Sequence, residues 1–416
     1  MSEQVVVIGG GVIGAMCAWY LSDAGCQVTI VERDRFGAAC SHGNCGYVSP
    51  SHILPLTRPG QIKLTLKELF KKDSTFAIKP RLNRDCLSWF WKFGRRCNEK
   101  HMLESAEGRH VLLQSSKTLY QQLVHEQGID CEWKEVGILF VFDEEKGFDA
   151  YQKTDDMLNS RFGIRATPYD SQKLIEIEPA LKPGLGGAWH YEGDCHLRPD
   201  KLMSSLRVKL ESRGVQFVEQ SEVKKFACEN GAAKAIVAGG QTIHADKFVV
   251  ATGAWTPFLN KHLGCRIPIE PGKGYSLTMP TPARMPRIPI IFENAHVAIT
   301  PMESKYRIGS TMEFVGYDDT LNYKRLDLLK TAAQKYLHDP YCDPVEEEWF
   351  GWRPMTWDGK PIIDRSPAMS NVWVAAGHNM LGISLATGTG KLVRELMLDE
   401  SPHVDPDHFS IARLSR

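Results

Sequence analysis

The order of apolar and polar positions predicts strands alternating with helices at both ends of the chain. Residues 5–8 form a run of β-branched residues, and Ile13, Cys17 and Leu21 follow at helical spacing. After a turn at Gly25 comes a second apolar strand, "CQVTIVE". Near the other end, "NVWVAAG" runs into "GHNMLGISLATGTGK", which indicates a strand followed by a glycine-led helix. Such alternation is typical of a parallel sheet covered by helices.

The middle of the chain has a second kind of pattern. A helix is predicted over residues 105–128 and a buried strand in "VGILFVF". "KFVVATGAW" is another apolar strand, which stops at Gly253. Between residues 266 and 345, the pieces "YSLTM", "HVAIT" and "YRIGS" are followed by a helical pattern. This region therefore indicates an antiparallel sheet with a covering helix.

Together these patterns predict an α/β protein, α+β overall, with two interleaved domains. A Rossmann-type domain that binds the cofactor would comprise residues 1–85, 186–265 and 346–416. A substrate domain built on a mainly antiparallel sheet would comprise residues 86–185 and 266–345.

The first strand is followed by the dinucleotide-binding pattern G-x-G-x-x-G. Gly9 allows the tight turn, Gly11 lets the backbone approach a pyrophosphate, and Gly14 lets the helix pack on the strand. The second strand ends at Glu32, about 20 residues on, where an acid binds ribose hydroxyls. Strand, pattern, helix, strand and acid together predict a bound dinucleotide, but they do not distinguish a nicotinamide from a flavin.

The second glycine-led helix bears on that choice. A domain that binds NAD completes its pyrophosphate contacts at the first loop, so a second helix start implies another electron-rich group. Backbone N–H groups of residues 380–383, with Gly382 allowing close approach, would suit the reduced flavin ring. Alternatively, Gly388 and Gly390 indicate a helix that is glycine-rich only in order to pack tightly.

Composition narrows the function classes. Fifty basic and 50 acidic residues give zero net charge, so no bulk charge favours nucleic acid as a partner. The 11 cysteines show no spacing typical of a metal site, and they fit a reduced compartment. The first strand begins at residue 5, so we expect no signal peptide, and no apolar run is long enough to span a membrane. We expect a cytoplasmic protein, or one peripheral on the inner face of the membrane.

Six blocks of the sequence resemble the D-amino acid dehydrogenase family. They are "VVVIGGGVIGAMCAWYLSDAGCQVTIVER", "CSHGNCGYVSP", "VVATGAW", "PGKGYSLT", "GWRPMTWDGKPII" and "AAGHNMLGISLATGTGKLV", in the family's order. That family belongs to the glycine oxidase and D-amino acid oxidase superfamily. The resemblance covers nearly the whole chain and implies FAD, two interleaved domains, and oxidation of an amine next to a carboxylate.

The resemblance also implies roles for particular residues. The implied cofactor contacts are Gly9, Gly11, Val12, Ile13 and Gly14 in the pyrophosphate loop, Glu32 at the ribose, the adjacent Arg33, Ser41, Asn44 and Gly46 in the flavin loop, Val223 and Gly253 at the nucleotide, and Gly377, Leu381, Gly382 and Ile383 at the flavin edge. Ordinary turn chemistry is the alternative for Ser41 and Asn44.

Arg353, in "GWRPMTWDG", is the strongest candidate for substrate binding. It resembles the superfamily arginine that holds the substrate carboxylate, for which a planar guanidinium is well suited. A structural salt bridge to Asp358 or Asp364 is the alternative. Tyr275 is a candidate to donate to the carboxylate or line the flavin, and His52 is a candidate to accept the amine proton.

These roles imply a small-molecule amino acid substrate and hydride transfer from its α-carbon to flavin N5. The polar flavin loop favours a cyclic substrate such as D-proline or hydroxy-D-proline. The resemblance implies a quinone or respiratory carrier as electron acceptor, and "QIKLTLKELFKK" and "SWFWKFGRR" suit a membrane surface or a cover over the site. A glycine/sarcosine-type oxidase using oxygen, a nicotinamide-dependent dehydrogenase and a non-catalytic flavin-binding subunit remain alternatives.

Overall fold

The computed structural model describes residues 2–69, 74–81 and 83–415. Within these residues the strands, in chain order, are β1 (Gln4–Ile8), β2 (Gln27–Val31), β3 (Tyr47–Val48), β4 (Phe76–Ile78), β5 (Ile138–Phe142), β6 (Thr167–Tyr169), β7 (Gly187–Tyr191), β8 (Cys195–His196), β9 (Gln216–Val218), β10 (Val223–Glu229), β11 (Ala232–Ala238), β12 (Gln241–His244), β13 (Lys247–Val250), β14 (Ile269–Pro280), β15 (Ile290–Phe292), β16 (Val297–Pro301), β17 (Lys305–Phe314), β18 (Glu347–Thr356), β19 (Ile362–Arg365) and β20 (Val372–Ala376). The α-helices are α1 (Val12–Asp23), α2 (Gln61–Leu69), α3 (Arg84–Arg96), α4 (Glu99–His125), α5 (Glu145–Phe162), α6 (Ser171–Ile177), α7 (Pro199–Ser212), α8 (Asn260–Leu263), α9 (Tyr323–Gln334) and α10 (Gly382–Met397).

A six-stranded sheet contains the strands of the two terminal patterns and the central strand that stops before Gly253. Its order is β19-β20-β13-β1-β2-β9, and all neighbours are parallel except β19 and β20. Strands β1, β13 and β20 lie side by side, so the turns that follow them meet at one edge. This sheet bears out the α/β class predicted from the sequence.

A larger mixed sheet forms the second layer. Its main path is β18-β14-β17-β16-β15-β5-β7-β6, and β4 pairs with β17. The three strands predicted between residues 266 and 345 lie in β14, β16 and β17, which are joined antiparallel through β17. The predicted covering helix is α9, which packs on this sheet with Leu326, Leu329 and Ala333 buried.

Sheet membership differs from the predicted segment boundaries in three strands. Strands β4, β7 and β18 lie in segments assigned to the cofactor domain, yet they pair in the larger sheet. Helix α4 lies in a segment assigned to the substrate domain, yet it packs against α10. Periodicity indicates that a segment is a strand or helix, but it does not specify which partner it joins.

Candidate active site

One cavity, of about 1320 Å³, borders both sheets. The turns after β1, β13 and β20 all line it, together with Arg353 on β18. Its volume exceeds the roughly 300–1,000 Å³ usual for a drug-sized ligand. The cavity can therefore hold an extended dinucleotide and a small second molecule.

The first glycine loop requires its glycines for different reasons. Gly9 has φ +110°, and a β-carbon there would stand 2.5 Å from the carbonyl oxygen of Ala251. A β-carbon on Gly14 would overlap the carbonyl oxygen of Gly9, so glycine is needed for close packing of α1. The N–H of Val12 donates to Ser41 Oγ at 2.9 Å, which joins the start of α1 to the loop before β3.

The second strand places its acid at the same end of the cavity. The carboxylate of Glu32 accepts from the N–H of Gly10 at 2.6 Å and from that of Asp34 at 2.9 Å, and Glu32 lines the cavity. The guanidinium of Arg33 lies 4.2 Å from the ring centre of Trp255, which lines the same region. An acid and a cation–aromatic pair therefore border the space beside the first glycine loop.

The loop at residues 40–46 is fixed by side chains that the sequence did not single out. Buried Arg307 donates to the carbonyls of His42, at 3.0 Å, and Asn44, at 2.8 Å. The hydroxyl of Thr300 donates to the carbonyl of Cys45 at 2.7 Å. Both donors come from the larger sheet, so this loop is held in place by sheet register, for which no local motif exists.

The glycines of α10 serve both of the purposes considered from the sequence, close approach to the cavity and tight packing of the helix. Leu381, Gly382 and Ile383 line the cavity, and a β-carbon on Gly382 would meet open space. A β-carbon on Gly388 would stand 2.9 Å from Leu112, and one on Gly390 would stand 2.5 Å from the backbone of α1. The helix therefore presents its N-terminus to the cavity and uses its internal glycines for packing.

Arg353 is held by backbone carbonyls. Its guanidinium donates to the carbonyl of Thr311 at 2.9 Å and to that of Ser310 at 3.4 Å. Both acceptors have positive φ, +47° and +109°, at a bulge in β17 where its register with β14 shifts. Because carbonyls are neutral, Arg353 keeps its full charge, and strained backbone at such a position indicates a functional constraint.

Arg353 does not form the salt bridge to Asp358 or Asp364 that was the alternative to substrate binding. Asp358 pairs with Arg413 at 2.7 Å, and Asp364 accepts from Ser410 Oγ at 2.8 Å. Among the residues that the structure describes, no carboxylate lies within ion-pair distance of the Arg353 guanidinium. Burial lowers the pKa of Arg353. A desolvated cation of this kind favours binding of an anion from the cavity.

Comparison with known proteins identifies the cofactor. The sequence matches the family described as DAO, FAD dependent oxidoreductase, over residues 4–396. The chain belongs to this family. FAD is therefore its cofactor, and the nicotinamide-dependent alternative is displaced.

Solved structures of similar fold extend over the whole chain. Glycine oxidase from Geobacillus kaustophilus is 23% identical, with 99% of each chain covered and a TM-score of 0.78. L-proline dehydrogenase from P.horikoshii is 21% identical, with 100% of this chain and 98% of that chain covered and a TM-score of 0.74. L-alpha-glycerophosphate oxidase from Mycoplasma pneumoniae, with FAD bound, is 16% identical, with 98% of each chain covered and a TM-score of 0.71. At these identities the likeness establishes the fold.

The residues present fit FAD in this FAD-dependent oxidoreductase. The predicted contacts that line the cavity are Gly9, Gly11, Val12, Ile13, Glu32, Arg33, Ser41, Asn44, Val223, Gly253, Leu381, Gly382 and Ile383. Three other predicted contacts do not border it: Gly14, Gly46 and Gly377. β-Carbons on Gly46 and Gly377 would overlap or crowd Leu197 and Thr356, so these glycines serve backbone packing.

Asn44 makes the turn contact that the sequence offered as its alternative role. Its Oδ1 accepts from the N–H of Gly46 at 2.8 Å, which is an Asx-type contact within the loop. Because Asn44 also lines the cavity, its position is compatible with both roles.

Tyr275 has two predicted roles, and strand register bears on one of them, while lining the flavin stays a prediction. In the register of β14 and β18, Arg353 pairs with Gly272, whereas Tyr275 pairs with Phe350. Paired residues point to the same face and successive residues alternate, so the side chains of Tyr275 and Arg353 lie on opposite faces. Although Tyr275 borders the cavity, its hydroxyl donates to Glu313 at 2.8 Å. It is therefore not placed to donate to a carboxylate held by Arg353.

His52 lines the same cavity, where burial and the nearby Arg109 and Arg58 lower its pKa to about 3. The lowered pKa favours a neutral imidazole, and the role of His52 as acceptor of the amine proton stays a prediction. Burial also lowers the pKa of His378 to about 3, and its Nε2 contacts Thr389 Oγ1 at 3.0 Å.

Proposed function

We propose that this FAD-dependent oxidoreductase dehydrogenates a D-amino acid at its α-carbon. The observation that carries the proposal is Arg353, a cavity-lining cation whose hydrogen-bond partners among the described residues are neutral carbonyls. A charge of this kind, beside the start of α10, suits the carboxylate of an α-amino acid. Bound FAD supplies the acceptor, at flavin N5, for the hydride that leaves the α-carbon.

The protein's contribution is mainly positioning. Arg353 binds the carboxylate and thereby fixes the direction of the α C–H bond. The N-terminus of α10 stabilises negative charge that develops at that side of the cavity. Hydride transfer needs a neutral amine, so the amine proton is lost before the chemical step, to solvent or to His52.

A cyclic amino acid such as D-proline or hydroxy-D-proline is the substrate that we propose. The D preference rests on the family resemblance of the sequence blocks. The L-proline dehydrogenase of similar fold supports a cyclic secondary amine as a substrate type. Oxidation of an acyclic amino acid would give an imino acid that hydrolyses in water, whereas a ring gives a cyclic imine.

The proposed acceptor of the electrons is a quinone or respiratory carrier reached at a membrane surface. None of the nine residues of α2 is buried, and Leu66 is 53% exposed. Trp91 on α3 is 60% exposed, and Ile62 packs near Gly94 of α3. With exposed Lys63 and Lys67 nearby, this surface suits an anionic headgroup region. Residues 70–72 of the predicted stretch lie outside the described residues.

A sedimentation experiment tests this surface. In the part of the chain that the structure describes, no helix has both the length and the apolarity of a membrane span. We expect the holoprotein to sediment with anionic phospholipid vesicles, and Leu66→Glu to reduce the bound fraction. Val208→Glu, at a position 64% exposed on α7, is the matched control. Equal binding by all three proteins would contradict the proposal.

An anaerobic visible spectrum tests the reaction itself. We expect flavin absorption to bleach with D-proline-type substrates and not with glycine or sarcosine. Bleaching only with the latter would favour a glycine/sarcosine-type oxidase, and no bleaching with any amine would favour a non-catalytic subunit. Arg353→Lys should retain FAD and lose about 10- to 150-fold in kcat/KM, because charged hydrogen bonds contribute about 1.5–3 kcal/mol. The rate at which the reduced flavin is reoxidised by oxygen is then compared with the rate of its reoxidation by a quinone.

A further inference from the structure

Trp349 lies on the same strand and the same face as Arg353. Trp349, Gly351 and Arg353 occupy alternate positions of β18, and all three line the cavity. Side chains two residues apart emerge on one face of a strand. The aromatic ring and the guanidinium therefore flank Gly351 from its two sides.

Both side chains lean toward one pair of glycines. Gly351 and Gly274 are direct partners in the register of β18 and β14. A β-carbon on Gly351 would overlap the Cη2 and Cζ2 edge of Trp349, and one on Gly274 would overlap the guanidinium of Arg353. Since paired β-carbons lie about 4.5–5.5 Å apart, the indole edge and the guanidinium are within roughly 10 Å of each other.

The plane of the indole is fixed from a second side. A β-carbon on Gly43, in the loop held by Arg307, would overlap Cγ, Cδ2 and Cε3 of Trp349. The ring therefore lies flat between a loop that borders the cofactor space and the strand that carries Arg353. Glycine at both contacts lets the indole lie against backbone, and Cys40 of the same loop lies close to Gly351.

We propose that Trp349 is the specificity-determining wall of the substrate site and selects amino acids whose side chain is a compact ring. This inference rests on the proposed function, since it assumes that Arg353 holds the carboxylate. A carboxylate at Arg353 places the rest of a small amino acid beside the indole, on the part of the ring that faces the cavity. The apolar edge of the indole can pack against the C–H groups of a five-membered ring. A long charged side chain would be desolvated there without a partner.

Binding of unreactive acids tests the proposal without turnover. The holoprotein is titrated with pyrrole-2-carboxylate and with acetate, and Kd is measured from perturbation of the flavin spectrum. In Trp349→Ala we expect Kd for the ring acid to rise about tenfold, while that for acetate changes less than about twofold, because only the ring acid loses burial against the indole. Trp349→Phe should retain most of the preference. Arg353→Lys should weaken both ligands together.

A second variant approaches the same ring from the strand. Gly351→Ala introduces a methyl group where the indole edge lies, so the ring must shift, and we expect the same selective loss of the ring acid. This variant keeps the test decisive if Trp349→Ala does not retain FAD. Equal weakening of both acids in the Trp349 and Gly351 variants, or no change in either, would overturn the proposal.

Turnover separates this inference from the proposed function. Suppose that cyclic substrates bleach the flavin but the Trp349 variants keep the wild-type ratio of kcat/KM between cyclic and acyclic substrates. The specificity role of Trp349 is then wrong, and the proposed dehydrogenation is retained. If no amino acid bleaches the flavin, yet the ring acid binds in a Trp349-dependent way, the role of Trp349 in binding is retained and the proposed dehydrogenation is wrong.

Discussion

The guanidinium of Arg353 occupies the space that a β-carbon on Gly274 would fill. Gly274 lies on β14 opposite Gly351, two pairs along from the Gly272–Arg353 pair and therefore on the same face. The arginine therefore lies across bare backbone and reaches the two carbonyls of β17. The absence of a side chain on β14 is as much a part of this geometry as the hydrogen bonds are.

Gly274→Ala should consequently displace Arg353 without removing it. We expect kcat/KM for the amino acid substrate to fall about 10-fold or more, because about 1.5–3 kcal/mol of charged hydrogen bonding is misplaced, while FAD is retained. Gly193→Ala is the matched control, since a β-carbon there would meet no atom within 4 Å. Steady-state kinetics and the flavin content of the three proteins make the comparison. Wild-type kinetics in Gly274→Ala would show that the arginine does not need this space.

Tyr275→Phe should affect stability more than catalysis. The variant removes the hydrogen bond from the hydroxyl to Glu313 and leaves a buried carboxylate with one donor fewer, so we expect a loss of about 1–2 kcal/mol in the free energy of unfolding. We expect kcat/KM to change less than about twofold, because the phenol lies on the other face from Arg353. Urea unfolding and steady-state kinetics measure the two effects. A large kinetic loss at unchanged stability would restore the role first predicted for Tyr275.

The position of Tyr275, on the opposite face from Arg353, shows which features sequence patterns can specify. The glycine turns, the strands and the inward face of α9 all follow from local spacing, and the structure has them where the patterns indicate. The face on which Tyr275 points relative to Arg353 depends on the register between β14 and β18, which no short motif encodes. The hydrogen bonds that Arg307 and Thr300 donate to the flavin loop depend on strand register in the same way.

Helix α4 shows a local limit of the same kind. The apolar spacing predicted a start at residue 105, but the helix begins at Glu99, where the Asn98 side chain accepts from the N–H of His101. A polar first turn carries no apolar periodicity, so its capping residue was the only available signal.

Ser41→Ala tests the junction between the first glycine loop and the flavin loop. The hydroxyl of Ser41 is the acceptor for the N–H of Val12, and both residues line the cavity. Losing such a cap costs about 1 kcal/mol, so we expect the Kd for FAD to rise about fivefold. Ser105→Ala is the control, because Ser105 is also buried but donates to the carbonyl of Asp358. The Kd for FAD is measured by titration of the three apoproteins. Equal Kd values for wild type and Ser41→Ala would show that Ser41 only shapes the turn and does not support FAD binding.

Asp194 should make the protein less stable as the pH rises from about 4 to 7. Burial raises the pKa of this carboxyl from 3.8 to about 7, although Ser51 donates to it through both its N–H and its hydroxyl. Between these two pKa values the unfolded chain releases the Asp194 proton, whereas the native state keeps it. The stabilisation is therefore complete below the pKa of Asp194 in the unfolded chain, and it is lost as the pH rises to the pKa of Asp194 in the folded protein. A shift of that size corresponds to about 4 kcal/mol.

Asp194→Asn removes the titration while keeping the shape of the side chain. We expect the free energy of unfolding, measured by urea denaturation of the holoprotein at several pH values, to become flatter between about pH 4 and 7. Asp149→Asn, at an exposed position, should leave the wild-type slope unchanged. Because Asp194 holds Ser51, the neighbour of His52, wild-type and Asp194→Asn proteins should also differ in how FAD binding varies with pH. Parallel stability curves for all three proteins would mean that Asp194 does not carry the proton assigned to it.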